Sequence, residues 1–369
     1  MPITAVDAIP LAFQHARQQL FQPFRFWQWT KLAAVGLLAG ELGSSGGCNG
    51  SNFNFPHQPG ASRHFMGAGW PEIDPALFGA LVAILVITGL VFGIILMYIS
   101  SVMRFILFDS VMAKECHIRE GWSRRQGPGW RYFLWKLVYL LVTLATLIVL
   151  VGIPLGFAFA VGWLKDPKEH VLPLVLGGVV LFFVLLIIFV LLAVIFVLTK
   201  DFVIPQRALE NIGAFEGWRR LWPVIDAEKG AFAGYIGMKI LMAIGAGIVV
   251  GIATLILGLF IAIPTIGLSI LAVLTGKTAG LTWNVYTITL AVVVGSILLA
   301  IFLYLVALIS VPVIVFFPAY SIYFFAARYP ALSRALYPAP PVPLAPQTSP
   351  GAPPPYEPPP LPPAPEPIR

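Results

Sequence analysis

Phe105-Ile106-Leu107, followed by Glu120-Gly121-Trp122-Ser123-Arg124-Arg125, reappears as Phe202-Val203-Ile204, followed by Glu216-Gly217-Trp218-Arg219-Arg220. The separations are 97 and 96 residues, so one single-residue gap aligns the two stretches. Each lies between two long apolar runs. A fainter copy opens the chain, where Ala12-Phe13, Arg17, Leu20-Phe21 and Pro23 echo Ala214-Phe215, Arg219, Leu221-Trp222 and Pro223. Self-similarity at a fixed period sets architecture before any local reading. Here it predicts an all-α, polytopic transmembrane bundle built from repeated helical hairpins with interfacial amphipathic helices.

Composition agrees. The 369 residues are 59% hydrophobic and 11% charged, with mean hydropathy +0.88, whereas a soluble domain carries about a quarter charged residues. Apolar runs long enough to cross a bilayer, roughly 20 residues each, are expected at about 31–43, 77–103, 132–160, 171–198, 232–263 and 285–315. They lack the alternation of barrel strands, so helices are the expected spanning form. The first is short, because Glu41 and a Gly-rich stretch follow it closely. It also starts too late in the chain for a cleaved leader peptide.

The cations give the orientation. Of the 23 Lys and Arg residues, 19 fall in the N-terminal segment, 104–136, 200–239 and the region from 328 onward. Only Arg63, Lys165, Lys168 and Lys277 occupy the alternate loops. By the positive-inside rule both termini are expected on the cytoplasmic side of a plasma membrane. The formal charge of +7 is thereby a topology signal. Nucleic acid is not an expected partner, because the charges flank spans and form no continuous patch.

The basic segments read as collars lying at the headgroup boundary. Leu209, Ile212, Phe215, Trp218 and Trp222 make an apolar stripe opposite Arg207, Glu210, Asn211 and Arg220, as expected of an amphipathic helix on a membrane. In the first segment, Thr4-x-x-Asp7 matches a capping box, and Ile9, Phe13, Ala16, Leu20 and Phe24 follow at helical spacing. Trp122, Arg124, Arg125, Trp218, Arg219, Arg220 and Trp222 are the candidate residues for contact with anionic inner-leaflet lipid. Packing of the same stripes on the protein's own spans is the competing account.

The spans offer little chemistry. Transport and proton relay call for ionisable groups inside spans. Here Glu41, Arg104, Lys200 and Asp201 are expected at span ends, with Glu41 towards the outer one. Intramembrane polarity otherwise rests on hydroxyls such as Thr88, Thr143, Thr254 and Ser296. No paired carboxylates, His-Glu-x-x-His, Gly-x-Ser-x-Gly or phosphate loop occurs, so no catalytic residue, cofactor or metal is expected. Cys48, His57 and His64 share one loop at spacings that fit no compact zinc pattern. Gly152-Ile153-Pro154-Leu155-Gly156 is expected to interrupt the third span and Ile263-Pro264-Thr265-Ile266-Gly267 to close the fifth, as kinks or as broken segments at a binding site.

From Tyr337 the chain changes character. Sixteen of the last 33 residues are proline, which predicts two regions: a helical membrane domain over 1–336 and a disordered, polyproline-rich tail over 337–369. Pro353-Pro354-Pro355-Tyr356 has the form of a ligand for proline-binding modules, so the tail is the expected contact for a protein partner.

Phe202-Val203-Ile204-Pro205 and Ala214-Phe215-Glu216-Gly217-Trp218-Arg219-Arg220-Leu221 carry a resemblance. Over about residues 5–335 the layout resembles a family of uncharacterised bacterial integral membrane proteins, distantly similar to the membrane domain ahead of some glycerophosphodiester phosphodiesterases. No phosphodiesterase domain follows, so the resemblance implies a membrane body without that activity. The expected function is a non-enzymatic scaffold or accessory protein that organises lipids or partner proteins. The alternative is a permease for an uncharged or lipid-like substrate.

Overall fold

The computed structural model describes residues 3–41, 75–278 and 285–337. Among these residues there is no strand. Ten helices follow in order: α1 (Ala8–Phe21), α2 (Phe26–Ala39), α3 (Pro75–Ala113), α4 (Ile118–Ala160), α5 (Val171–Leu198), α6 (Ile204–Glu210), α7 (Ala214–Ala227), α8 (Lys229–Thr278), α9 (Val285–Ala326) and α10 (Pro330–Leu336). A five-residue π-helical turn, Thr199–Val203, joins α5 to α6.

Five helices, α3, α4, α5, α8 and α9, are long and apolar enough to cross a membrane. The described residues form an all-helical body whose five apolar helices fit a multi-pass membrane protein. The first expected span coincides with α2, whose 14 residues rise only about 21 Å, short of a hydrocarbon core of about 30 Å. The helices themselves run unbroken through the expected interruptions. Pro154 lies inside α4 and Pro264 inside α8, as happens in spanning helices whose freed backbone groups find other partners.

The packing is uneven along the spans. In the most apolar stretches of α3, α4 and α5 no residue is buried, and in α8 and α9 almost none. These stretches are apolar all round, so no face prefers protein to lipid. The core lies at the opposite ends of the helices, where Phe105, Leu107, Tyr132, Phe202, Tyr235, Tyr320 and Phe324 are buried. Rings carry much of it: Tyr235 stacks on Tyr320 at 5.0 Å, and Phe202 meets Phe232 edge-on at 5.3 Å.

Neighbouring spans pair as antiparallel hairpins. Tyr139 of α4 donates to the Leu192 carbonyl of α5, and Phe302 of α9 lies 3.7 Å from where a Cβ on Gly258 of α8 would stand. Between α3 and α4 the approach is closer still. A Cβ on Gly129 would come within 2.6 Å of Val102 Cγ2 and 3.1 Å of its Cα. Since one of those atoms is backbone, Gly129→Ala is expected to destabilise the protein by about 1–3 kcal/mol, read as a lowered midpoint in detergent unfolding.

The amino-terminal helices close the packed end against the last span. Thr4 Oγ1 accepts the Asp7 N–H and donates to its carboxylate, so half of the expected capping box forms; Asp7, at the N-cap position of α1, makes no side-chain capping bond. The buried face of α1 is Ala8, Ala12, His15, Ala16 and Leu20, while Phe13 and Phe24 are exposed. The expected stripe is thus turned: small alanines face inward because they permit close helix approach. Tyr320 donates to the Ala5 carbonyl and Arg328 to the Ile3 carbonyl. α2 lies antiparallel to α3, with Gln28 bonded to the Lys114 carbonyl and Ser100 to the Ala39 carbonyl.

His15 joins three elements. Its Nε2 lies 2.8 Å from the Val111 carbonyl and its Nδ1 3.1 Å from the Tyr323 hydroxyl, so the neutral tautomer donates through Nε2. Burial, with some help from the nearby Lys114 charge, holds its pKa below the usual 6.5. Near neutral pH the ring is uncharged in both folded and unfolded chains. As pH falls through about 6.5 the unfolded chain gains a proton that the folded one resists, so stability drops. Thermal midpoints are expected to fall from pH 7 to 5, and the fall to flatten in His15→Gln.

Candidate functional site

The charges that sequence reading places at span ends converge in one buried cluster. Glu41 Oε1 accepts from Arg104 Nη1 at 2.8 Å, and Glu41 Oε2 accepts from Lys200 Nζ at 2.5 Å. Arg104 Nη2 also donates to the Ala39 carbonyl at 2.6 Å. Beside them, Asp201 is paired with Lys239 and accepts the Tyr235 hydroxyl at 2.9 Å. Lys136 reaches the edge of the network through Ser100 Oγ at 3.1 Å.

Local backbone explains the convergence. The π turn adds a residue at Thr199–Val203, and such turns redirect side chains at functional positions. Consecutive residues Lys200 and Asp201 thereby serve two different partners, Glu41 at the end of α2 and Lys239 on α8. Thr199 holds the turn by donating to the Ile195 carbonyl at 2.7 Å and accepting the Trp218 indole N–H at 3.0 Å.

The expected place of Glu41 is corrected by these contacts. It lies with Arg104 and Lys200 at the packed end, so α2 does not carry it to the far surface. Two members, Lys136 and Lys239, stand one or two turns inside the apolar runs of α4 and α8. That position is the signal that could have singled them out, since a cation within a span is costly and needs a partner.

Three cations, Arg104, Lys200 and Lys239, and two carboxylates, Glu41 and Asp201, line one cavity of about 30 Å³. Leu107, Phe108, Phe317 and Pro318 supply its apolar wall. Glu41, Arg104 and Asp201 are each over nine-tenths buried. Removing such charges from water costs several kcal/mol per ion, and pairing seldom returns more. Stability alone is therefore a weak reason for the cluster.

The seven candidate lipid-contact residues lie elsewhere, and none lines this cavity. Arg125 points into the protein, with a two-pronged contact to Asp109 at 2.6 Å on each side and a bond to the Ala208 carbonyl at 2.8 Å. Trp122 packs edge-on against Tyr98, and Trp218 is half-buried on Thr199. Arg124 is exposed. Arg219 and Arg220 are exposed and pair with Glu216 at 3.1 and 3.0 Å, and Arg220 also meets Glu210. Trp222 is 64% exposed.

The expected stripe across 207–222 is not one helix. Asn211 adopts a left-handed backbone, φ 53°, and ends α6 before α7 begins. Arg207 is buried, with its guanidinium 5.9 and 5.8 Å from the ring centres of Phe105 and Tyr132. It belongs to the core, not to a polar face. Cys116 is a buried free thiol whose pKa burial pushes up. Among the described residues no three His, Cys, Asp or Glu side chains form a metal-binding group. Cys48, His57, His64 and the tail from 338 onward lie outside the described residues.

A family of unknown function, DUF7544, matches the chain over residues 3–334, and the chain belongs to it. No curated protein and no solved structure matches. The likeness to the membrane domain of glycerophosphodiester phosphodiesterases finds no support in these matches.

Proposed function

We propose that this DUF7544 protein is a non-enzymatic scaffold of a bacterial plasma membrane, organising lipids or partner proteins around its spans and inner collars. The observation that carries this reading is the division between a packed end and bare spans. Exposed apolar side chains cover the most apolar stretches of α3, α4 and α5, which suits a body that presents surface to lipid or to other membrane proteins. A permease pathway calls for polar groups enclosed between spans. The charged groups of the described spans gather instead at the packed end, while hydroxyls such as Thr146, Thr265 and Ser296 bond within their own helices.

The same proposal includes six crossings with cytoplasmic termini, the first at about 31–43. The Lys/Arg distribution supports this, as does the antiparallel run of α2 along α3. It also includes descent from a repeated hairpin unit. In support, Gly121 packs on Ile106 and Gly217 on Val203, a matched pair of contacts at the aligned positions. The proline-rich tail is proposed as a cytoplasmic tether for a protein partner.

Proteoliposomes test the choice between scaffold and permease. Purified protein is expected to retain anionic lipid in native mass spectra and to leave the movement of fluorescent lipid between leaflets at the protein-free rate. Leaflet exchange or uptake of a neutral solute well above that rate would transfer the assignment to the permease reading.

A further inference from the structure

Among the described residues, those that line the cavity at the charge cluster carry a surplus of positive charge. Its walls hold Arg104, Lys200 and Lys239 against Glu41 and Asp201; Lys136, bonded to Ser100, lies outside the wall. Arg104 Nε is buried and has no hydrogen-bond partner among the described residues, although the side chain is only 7% exposed. A buried donor on a charged group calls for an acceptor. The neighbouring acceptors are engaged: Glu41 takes Arg104 Nη1 and Lys200, and Asp201 takes Lys239 and Tyr235. A cavity of about 30 Å³ has room for about two waters or one small anionic group.

We propose that this cavity binds one compact anion, either a free inorganic anion or the phosphate of an anionic lipid. The anion balances the extra cation and can accept from the free face of Arg104, while the Leu107, Phe108 and Phe317 wall lowers the local dielectric and strengthens the attraction. The position at the junction of bare spans and packed core lets a lipid phosphate approach from the headgroup layer. The lipid form of the proposal rests on the lipid-organising reading above and the free-anion form does not, so the two fail separately.

The test uses the full chain in neutral maltoside detergent, with ionic strength held by gluconate. Sodium phosphate is titrated in one arm. In the other, mixed micelles contain phosphatidylglycerol or, as the uncharged comparison, phosphatidylcholine. A saturable rise in Tm of about 3–5 °C is expected from one anionic probe, with one phosphate or one phosphatidylglycerol per chain in native mass spectra. A response to phosphate assigns a free anion; a response to phosphatidylglycerol alone assigns the lipid. Lys239→Gln is expected to remove the rise and Lys239→Arg to keep it. No saturable rise from either probe, or an equal rise in Lys239→Gln, overturns the proposal. The one-to-one mass measurement on the unaltered protein decides the matter even if Lys239→Gln does not fold.

Discussion

Replacing Glu41 by Ala is expected to destabilise the protein by about 3–5 kcal/mol, the penalty for breaking a buried ion pair from one side. The carboxylate is bonded to both Arg104 and Lys200, at 2.8 and 2.5 Å. Its loss leaves two cations facing each other across a cavity already rich in positive charge. Glu41→Gln keeps the shape and one acceptor oxygen, so its loss is expected to be smaller. Denaturation midpoints in detergent measure both. Equal, small effects from the two variants would mean that water reaches the cluster freely.

Arg125→Gln is expected to cost about 2–3 kcal/mol, while Arg124→Gln one residue earlier is expected to change stability by less than about 0.5 kcal/mol. The contrast follows from direction alone. Arg125 is clamped to Asp109 and the Ala208 carbonyl, so it ties α3, α4 and α6 together. Arg124 faces out and is free to meet a headgroup. Lipid retention and folding stability thus part company at adjacent positions: Arg124→Gln is expected to weaken binding to anionic micelles without moving the unfolding midpoint. Similar stability losses at both sites would undo this division of roles.

These neighbours also mark what one sequence discloses. The long apolar runs were legible because a spanning helix needs uninterrupted apolar length, and five of them are present as helices. The pairing of Arg124 with Arg125 as surface cations was not resolved, since which of two consecutive side chains turns inward depends on the face α4 gives to α3. Glu41, Arg104, Lys200 and Asp201 were each visible as charges at span ends. Their meeting was not, because Glu41 lies 63 residues from Arg104 and 159 from Lys200. Periodicity in the sequence puts Arg207 on a polar face, because Asn at 211 is a weaker mark of a left-handed helix end than Gly. Prolines 154 and 264 suggested interruptions that lipid-embedded helices absorb.

The docking of α1 on the end of α9 bears on when the protein can be finished. Tyr320 and its partner carbonyl at Ala5 are 315 residues apart, a stretch that takes about 15–60 s to translate. Until α9 emerges, the alanine face of α1 has no surface to cover it, and His15 lacks Tyr323. The spans can be inserted one after another, yet the packed end can close only after α9 arrives. A ribosome stalled before residue 310 would leave a membrane-inserted but open intermediate, exposed to proteases at its amino terminus, and protection of that terminus would report the arrival of α9.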